Sequence, residues 1–454
     1  MRIGIIADDL TGANDCGVQF VKCNFSVKVF VDIPWKGLEN LVSGEIVAVN
    51  TNTRALLPQE AYERVKKLSR ALAGLGNVKI YKKIDSTLRG NVGAEIDAIL
   101  DVFRFPLALV APAFPDMGRI TVGGRQLVEG VPIDETEIAF DLVTPVKKSH
   151  IPTLIKEQMS KRVIYIPLSV VEKGVQCLKE KLLRVLYEKG QSVVVLDASE
   201  NLHLKTIARV VLLLENEHQF SFLLVGSAGL ASAIAQVISP EIPERKAKNV
   251  MLSEESFGYD KTGVLMVSGS AHPRTLLQIE KLTLLDQSTR VFRIKLGYFL
   301  VPEKAQSEIH KVVEEACLLL SRGYNVVLTL EDANIGKTNE RRGRRFLIDD
   351  KISDQASKHN FAWMLVRSLA EVSKQILEKT FVKVLVLMGG DTTLAVCRAL
   401  ECECIDLVSE ISPGVVLGRI VDGPYKGMKI ITKAGGFGDD DLLFKILRSL
   451  TKEV

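Results

Sequence analysis

Short apolar runs that alternate with amphipathic helical stretches are the feature that most constrains the fold of this chain. In the first half, the runs rich in Val, Ile and Leu are RIGIIAD, SVKVFV, EIVAVNTNT, NVKIYKKID, LALVAPA, SVVVLDA and SFLLVGS. Helical patterns such as PQEAYERVKKLSRALAGL and GVQCLKEKLLRVLYEKG stand between them. Apolar strands separated by helices indicate a mainly parallel sheet covered on both faces, so the sequence predicts an α/β fold.

The alternation has one exception and one interruption. RITVGGRQLVEGVPI, with Gly123 and Gly124 between two short runs, predicts a hairpin. The segment SPEIPERKAKNVMLSEESFGYDK has two prolines, many charges and no clear period, which is typical of a linker. We therefore predict an N-terminal domain over residues 1–240, a linker over 241–261 and a C-terminal domain over 262–454, each with a mainly parallel sheet flanked by helices.

After the linker the alternation resumes. TGVLMVSGS, TRVFRIKL, YNVVLTL and VKVLVLMGG predict strands, whereas PEKAQSEIHKVVEEACLLLSRG and DQASKHNFAWMLVRSLAEVSKQILEKT predict helices. The basic stretch GKTNERRGRRF between them is either a solvated loop or a mobile loop on the phosphate side of a site.

Charge and cysteine content exclude several classes of protein. The net charge of +4 over 454 residues gives no reason to expect a nucleic-acid partner. The seven cysteines lack zinc-site spacing, and no apolar run reaches the length of a membrane span. We expect a cytoplasmic protein without a membrane partner, and a homodimer is the commonest symmetric assembly for such a chain.

Polar and charged side chains follow the predicted strands of the first half, where parallel α/β sheets bind their ligands. They are Asp8, Asp9, Asn52, Arg54, Lys82, Lys83, Asp85, Ser86, Arg119 and Arg125. Lys and Arg can hold a carboxylate, and Asp can accept hydrogen bonds or a proton from a hydroxyl group. This combination predicts a site for a small polyhydroxy acid.

The adjacent carboxylates Asp8 and Asp9 stand where the first strand runs into a helix predicted to begin at Thr11. One aspartate suffices to cap that helix, so the other is left for a ligand. The residues alone leave open which of the two binds the ligand, and we expect the two carboxylates to raise each other's pKa, as close like charges do.

Strand ends of the second half carry glycine and hydroxyl groups instead of charge pairs. They lie in VSGSAHPRT, LMGGDTTLAV and TKAGGFGDDDLL. Glycines allow backbone N–H groups to approach a ligand, and helix N-termini attract phosphate, so these turns predict phosphate binding. Neither a Walker A motif nor G-x-G-x-x-G is present, which argues against a nicotinamide dehydrogenase. Nearby aspartates could reach Mg²⁺ through water, and Asp439–Asp441 could equally cap the final helix.

Seven motifs together resemble those of the four-carbon acid sugar kinases. In chain order they are ADDLTGA, KIDSTLRG, APAFPDMGR, SGSAHPRT, GGDTT, PGVVLGR and TKAGGFGD. The resemblance implies ATP-dependent phosphorylation of threonate, erythronate or 3-oxo-tetronate at the terminal hydroxyl, with Mg²⁺ as cofactor. It also implies that the N-terminal domain holds the sugar acid, the C-terminal domain holds ATP, and the active site lies in the cleft between the domains.

The resemblance also places residues in roles. The predicted substrate-binding residues are Asp8, Asp9, Arg54, Lys83, Ile84, Asp85, Ser86 and Arg119, with Asp8 or Asp85 as the catalytic base. The predicted nucleotide-binding residues are Ser268, Gly389, Gly390, Asp391, Thr392, Gly435, Gly436, Phe437 and Gly438. The bulky run Ala271–His272–Pro273 after the SGS motif departs from the family pattern. Two alternatives stay open, a non-catalytic sugar-acid and nucleotide-binding regulator and a kinase of another small acid such as glycerate.

Overall fold

The computed structural model describes residues 2–35, 46–141, 143–188, 190–218, 220–239, 262–270, 272–295, 302–331 and 355–451. The chain forms two compact units, Met1–Arg245 and Lys246–Val454. The predicted linker and the basic stretch GKTNERRGRRF lie outside the described residues. The predicted domain limits, and the predicted cleft between the domains, therefore stay predictions.

The first unit contains a parallel sheet and a small antiparallel one. Its strands are β1 (Arg2–Ala7), β2 (Val27–Phe30), β3 (Ile46–Asn50), β4 (Val78–Lys83), β5 (Leu107–Ala111), β6 (Arg119–Val122), β7 (Arg125–Val128), β8 (Val131–Pro132), β9 (Arg162–Ile166), β10 (Ser192–Leu196) and β11 (Leu223–Gly226). In the large sheet the order is β2-β3-β1-β4-β11-β5-β10-β9, and all neighbours are parallel. The small sheet, β6-β7-β8, contains the predicted glycine hairpin.

Helices cover this sheet as the sequence pattern predicts. They are α1 (Leu10–Val21), α2 (Pro58–Ala73), α3 (Val92–Phe103), α4 (Ile151–Gln158), α5 (Leu168–Val171), α6 (Val175–Leu186), α7 (Asn201–His218) and α8 (Ala228–Ile238), with 3-10 turns at Pro115–Met117, Ile133–Glu135 and Glu137–Phe140. In α2 the buried positions recur every three or four residues, as Ala61, Val65, Leu68 and Leu72. This spacing gives the helix one apolar face that packs into the core of the unit.

The strand register brings the candidate site together. Ala7, the last residue of β1, is in register with Asn50 of β3 and with Lys83 of β4. Because parallel strands end at the same edge of a sheet, the residues that follow these three positions share one edge. That edge carries Asp8, the loop after β3 and the segment after β4.

The sheet of the second unit is mixed. Its strands are β12 (Leu265–Ser268), β13 (Thr289–Lys295), β14 (Asn325–Glu331), β15 (Leu385–Met388), β16 (Cys404–Ser412), β17 (Val415–Ile420) and β18 (Lys429–Lys433). The order is β13-β14-β12-β15-β18-β17-β16, in which β17 is antiparallel to both of its neighbours and the other pairs are parallel. The predicted α/β class with mainly parallel sheets is confirmed.

Its helices are α9 (Pro273–Leu285), α10 (Pro302–Ser321), α11 (Gln355–Lys379), α12 (Gly390–Ala399) and α13 (Leu442–Thr451). Buried side chains of α9 and α13, among them Ile279 and Leu443, form one core with the sheet. Across three neighbouring strands Ser268, Met388 and Lys433 stand in register, so their side chains share a face of the sheet. Within the described residues no helix is long and apolar enough to cross a membrane.

Candidate active site

At the corner between β1 and α1 the two adjacent aspartates have different tasks. Asp9 is the N-cap of α1, and its carboxylate accepts hydrogen bonds from the Gly12 N–H at 3.0 Å and the Thr11 hydroxyl at 2.7 Å. The prediction that one aspartate caps the helix is confirmed, although the helix begins at Leu10. Asp8, buried at 3% exposure, is therefore available for other partners.

Gly12 makes this corner sterically possible. A Cβ atom at Gly12 would lie 2.3 Å from Oδ1 of Asp9 and 3.1 Å from Nζ of Lys83. Both distances are below ordinary contact, so any side chain here would displace the cap or the lysine. In the ADDLTGA motif, Thr11 thus supplies a hydroxyl that binds the capping carboxylate of Asp9. Gly12 leaves the space that the side chains of Asp9 and Lys83 occupy.

Arg54 joins both aspartates. Its Nε donates to Oδ2 of Asp8 at 2.7 Å, and its Nη2 donates to Oδ1 of Asp8 at 3.1 Å and to Oδ1 of Asp9 at 2.7 Å. The loop that carries Arg54 is held by Asn91, whose amide donates to the carbonyls of Thr53 and Leu56. Among the described contacts the Nη1 group of Arg54 donates to no protein atom, which leaves it for an anionic ligand.

The pKa of Asp8 does not follow the prediction from the paired carboxylates. Burial alone would raise this pKa, but the charges of Arg54, Lys82 and Lys83 and the hydrogen bonds from Arg54 outweigh burial, so the pKa lies below its ordinary value. The expected rise is therefore wrong for Asp8. The sequence placed the two like charges side by side but did not show that three cations surround them.

Two neighbouring lysines at the end of β4 differ in role. Lys82 forms a completely buried ion pair with Glu95 of α3. Lys83 is also buried, and its ammonium donates to the Ile84 carbonyl at 2.9 Å, which leaves further N–H groups for a ligand. Cys16 of α1 lies within electrostatic reach of Lys83, and burial raises the pKa of its thiol far above the ordinary value.

Asp85 is held by an arginine that the sequence analysis did not single out. Arg89 donates from Nε to Oδ2 of Asp85 at 2.9 Å and from Nη2 to Oδ1 at 3.2 Å, and Thr87 donates to the same carboxylate. Burial would raise the pKa of Asp85, but the charges of Arg89 and Arg54 hold it well below the ordinary value. The signal for Arg89 was its spacing, because it follows Asp85 by four residues in KIDSTLRG.

The remaining predicted substrate residues border this cluster. Nη2 of Arg54 lies 3.8 Å from Oδ1 of Asp85, so Asp85 shares the Arg54 guanidinium with Asp8 and Asp9. Arg119 begins β6 and lies within electrostatic reach of Asp85. Ile84 donates its backbone N–H to the Gly226 carbonyl, and the Ser86 carbonyl accepts from a glutamine side chain, so these two contribute backbone contacts to the edge.

The hairpin that carries Arg119 is fixed by a buried carboxylate. Asp197 accepts hydrogen bonds from the N–H groups of Gly123 at 2.8 Å and Gly124 at 2.9 Å, and from the Tyr165 hydroxyl at 2.7 Å. Both glycines have positive φ, a backbone conformation that favours glycine. Asp197 therefore fixes the turn between the end of β6 and the start of β7.

In the second unit, the predicted nucleotide residues surround the ends of β12, β15 and β18. Ser268 is completely buried, and its hydroxyl has no hydrogen-bond partner among the described residues. Gly389 has a φ of 98° and precedes α12, and the Thr392 hydroxyl accepts the Gly269 N–H at 3.0 Å. Gly390 and Asp391 lie in the first turn of α12, whose N-terminal N–H groups face this edge.

The third glycine turn follows β18. The Thr275 hydroxyl donates to the Gly435 carbonyl at 2.7 Å, and the Gln278 amide donates to the carbonyls of Phe437 and Gly438. A Cβ atom at Gly414 would lie 2.3 Å from the ring of Phe437, which explains the glycine of the PGVVLGR motif. Thr275 and Gln278 of α9 thus fix the turn by binding its carbonyl groups. Because the C=O and N–H groups of a trans peptide point in opposite directions, the N–H groups of these peptides point away from the two side chains.

Charged groups near the third turn are paired. Lys445 lies 2.9 Å from the Asp441 carboxylate and 3.4 Å from Asp439, and Arg274 lies 3.5 Å from Asp440. No group of three or more His, Cys, Asp or Glu side chains in the described part of the chain could hold a metal ion.

Together the two edges have complementary chemistry. The first unit offers carboxylates and cations to a hydroxy acid, whereas the second offers a buried hydroxyl and N–H groups, which suit a polyphosphate. These features define a protein with a sugar-binding domain and a nucleotide-binding domain. Family models with these descriptions match the chain, the sugar-binding N-terminal domain over residues 3–234 and the nucleotide-binding C-terminal domain over residues 265–443.

Named relatives are similar to this chain over almost its whole length. A D-erythronate kinase of Heliobacterium modesticaldum is 32% identical over 97% of this chain and 95% of its own length. A D-threonate kinase of Salmonella typhimurium is 33% identical over 98% of this chain and 97% of its own length. A solved structure from Haemophilus influenzae has the same fold, with a TM-score of 0.68 at 22% identity over 98% of this chain and 99% of its own. The chain belongs to the four-carbon acid sugar kinase family.

Proposed function

We propose that the protein transfers the γ-phosphoryl group of ATP to the terminal hydroxyl of a four-carbon sugar acid. The observation that carries the proposal is the cluster at the edge of the first unit, in which Arg54 and Lys83 keep unused N–H donors beside Asp8. Similarity to kinases of D-erythronate and D-threonate over nearly the full length supports it.

In this proposal the substrate carboxylate pairs with the Nη1 group of Arg54 and the ammonium of Lys83. Pairing at two points fixes the orientation of a short acid, so its far hydroxyl lies in one place. Arg119 is a further cation at this edge, within electrostatic reach of Asp85.

Asp8 is the proposed base, and Asp85 is the alternative. The pKa of each is lowered by neighbouring arginines, so both carboxylates are ionised at neutral pH. A weak base suffices for phosphoryl transfer, because positioning and charge stabilisation carry most of its catalysis. An arginine binds both oxygens of each carboxylate, Arg54 those of Asp8 and Arg89 those of Asp85. Asp85 is the weaker candidate because it also accepts a hydrogen bond from the Thr87 hydroxyl.

ATP fits the glycine turns of the second unit. Ser268 has an unused buried hydroxyl, and the first turn of α12 together with Gly435 and Gly436 offers backbone N–H groups. Mg²⁺, when bound with ATP, would offset the negative charge of the phosphates. A cytoplasmic location and a homodimer stay predictions.

The test is an ADP-release assay with ATP, Mg²⁺ and a panel of acids. D-erythronate, D-threonate and 3-oxo-tetronate are compared with glycerate and with a five-carbon acid. We expect the highest kcat/KM with D-erythronate or D-threonate. The highest kcat/KM with glycerate would indicate the other small-acid kinase, and binding of acid and nucleotide without ADP release would indicate the non-catalytic regulator.

A further inference from the structure

Lys433, the last residue of β18, carries a buried charge without a carboxylate partner. Its side chain is completely buried, and its ammonium donates to the carbonyls of Ala434 at 3.0 Å and Gly435 at 3.1 Å. The hydroxyl of Thr275 lies 3.5 Å away. Among the described residues no carboxylate is within ion-pair distance of Lys433, whereas a buried lysine usually has one.

The environment of Lys433 disfavours its charge. Burial, and then the charge of Arg274, lower the pKa of Lys433 to about 7. The other charged groups around it belong to the turn and to α13, where Asp440 pairs with Arg274, and Asp439 and Asp441 pair with Lys445. An apolar residue of similar length at position 433 would therefore destabilise the folded unit less than the lysine does. We infer that the ammonium serves a ligand and not the stability of the fold.

Peptide geometry links Lys433 to the glycine turn. The C=O and N–H groups of one trans peptide point in opposite directions. By holding the carbonyls of Ala434 and Gly435, the ammonium turns the N–H groups of Gly435 and Gly436 away from itself. Within the described part of the chain these two N–H groups donate to no protein atom, and Gly436 is exposed.

The same edge of the sheet carries the other predicted nucleotide contacts. Lys433 is in register with Met388 of β15, which is in register with Ser268 of β12. The unpartnered Ser268 hydroxyl, the start of α12 and the two free N–H groups therefore lie at neighbouring strand ends of one unit. A polyphosphate bound there would supply the negative charge that Lys433 lacks.

We propose that Lys433 is the positioning residue of the nucleotide site: it orients the N–H groups of Gly435 and Gly436 toward the phosphates and takes up a proton when the nucleotide binds. This inference rests on the proposed function, because it assigns the polyphosphate of ATP to the second unit. Its consequence is that nucleotide affinity, not acid affinity, depends on this side chain.

The test measures ADP binding to the full chain by calorimetry, without any sugar acid. The variants are K433M, K433R and, as a matched control, K383M. Lys383 precedes β15, and its ammonium donates to the Leu450 carbonyl. We expect K433M to weaken ADP about 10- to 100-fold, the loss of one or two charge-assisted contacts, with K433R recovering part of it and K383M close to wild type. Without ligand, K433M should melt no lower than wild type.

Proton uptake gives a second readout. At pH 8, above the pKa of Lys433, wild type should take up more protons on binding ADP than K433R, measured in buffers of different ionisation enthalpy; at pH 6 this difference should vanish. Equal ADP affinity and equal proton uptake in wild type and K433M would overturn the inference. If wild type itself failed to bind ADP, the proposed function would fail instead.

Discussion

At the edge of the first unit, two adjacent residues have different roles. Asp9 satisfies backbone N–H groups of α1, whereas Asp8 is bound by Arg54 and lies near two lysines. The sequence predicted this division, because an N-cap needs one carboxylate and two were present. It could not predict the cations around Asp8, since they come from strands that only the folded register brings together.

Replacing each aspartate by asparagine separates the two tasks. Asparagine is about as good an N-cap as aspartate, so Asp9→Asn should leave α1 intact and change kcat/KM only modestly. Asp8→Asn removes the proposed base and should lower kcat about 100-fold or more. Steady-state kinetics with varied acid at saturating ATP measure both quantities. Near-normal turnover in Asp8→Asn would show that Asp8 is not the base and would leave Asp85 as the candidate.

Acid should destabilise the first unit through its salt-bridged carboxylates. The folded-state pKa values of Asp8 and Asp85 lie below that of an unfolded aspartate, about 3.9. A lowered pKa contributes stability that is fully present above about pH 5 and is lost as the pH falls through the folded value. Urea unfolding from pH 7 to pH 3 should show this loss. In Asp85→Asn the free energy of unfolding should be lower at pH 7 and should fall less steeply below pH 5. An unchanged dependence on pH would contradict the lowered pKa of Asp85.

At the scale of elements, the sequence predicted most of the parallel strands and the antiparallel hairpin of β6 and β7. It missed the parallel strand β9, the strand β18 and the antiparallel pair of β16 and β17. The apolar runs of β1, β5 and β12 are buried on both faces, so composition alone indicates them. By contrast β16 has mostly half-buried residues, and its partner β17 has a serine-proline-glycine turn before it. Such a strand has no clear apolar pattern, and neither β16 nor β17 was predicted.

The hairpin of β6 and β7 offers an element-scale test. Asp197 accepts hydrogen bonds from both turn glycines, so Asp197→Asn should loosen the hairpin and move Arg119 at its base. We expect a KM for the sugar acid raised severalfold, while the ADP dissociation constant stays unchanged. Steady-state kinetics with varied acid and calorimetry with ADP check this. A change in ADP affinity alone would mean that the hairpin serves the nucleotide.

At the scale of the whole molecule, the motifs were enough to predict the class and the family, because they are spread over both units. What one sequence could not supply is the chemistry that depends on burial. Lys433 stood in the TKAGGFGD motif as an ordinary lysine, and only its complete burial at a strand end distinguishes it. The Lys82 and Glu95 pair was hidden in the same way.

Hydrogen exchange with each ligand alone would test which unit binds what. D-erythronate should slow exchange at Leu10–Gly12 and at the segment after β4, whereas ADP should slow exchange at Gly435 and Gly436. The reason is that a bound ligand protects the amides it contacts. A five-carbon acid serves as the control for the first unit. Protection of the same amides by both ligands would contradict the assignment of one ligand to each unit.

Cys16 lies near Lys83 yet is fully enclosed, with a thiol that burial keeps protonated. Electrophilic inhibitors aimed at a cysteine would therefore find no reactive sulfur at this edge of the sheet. Cys177 and Cys317 are partly exposed and would be alkylated first. A fluorophore attached at Cys177 or Cys317 could report on ligand binding without touching the groups that bind the acid.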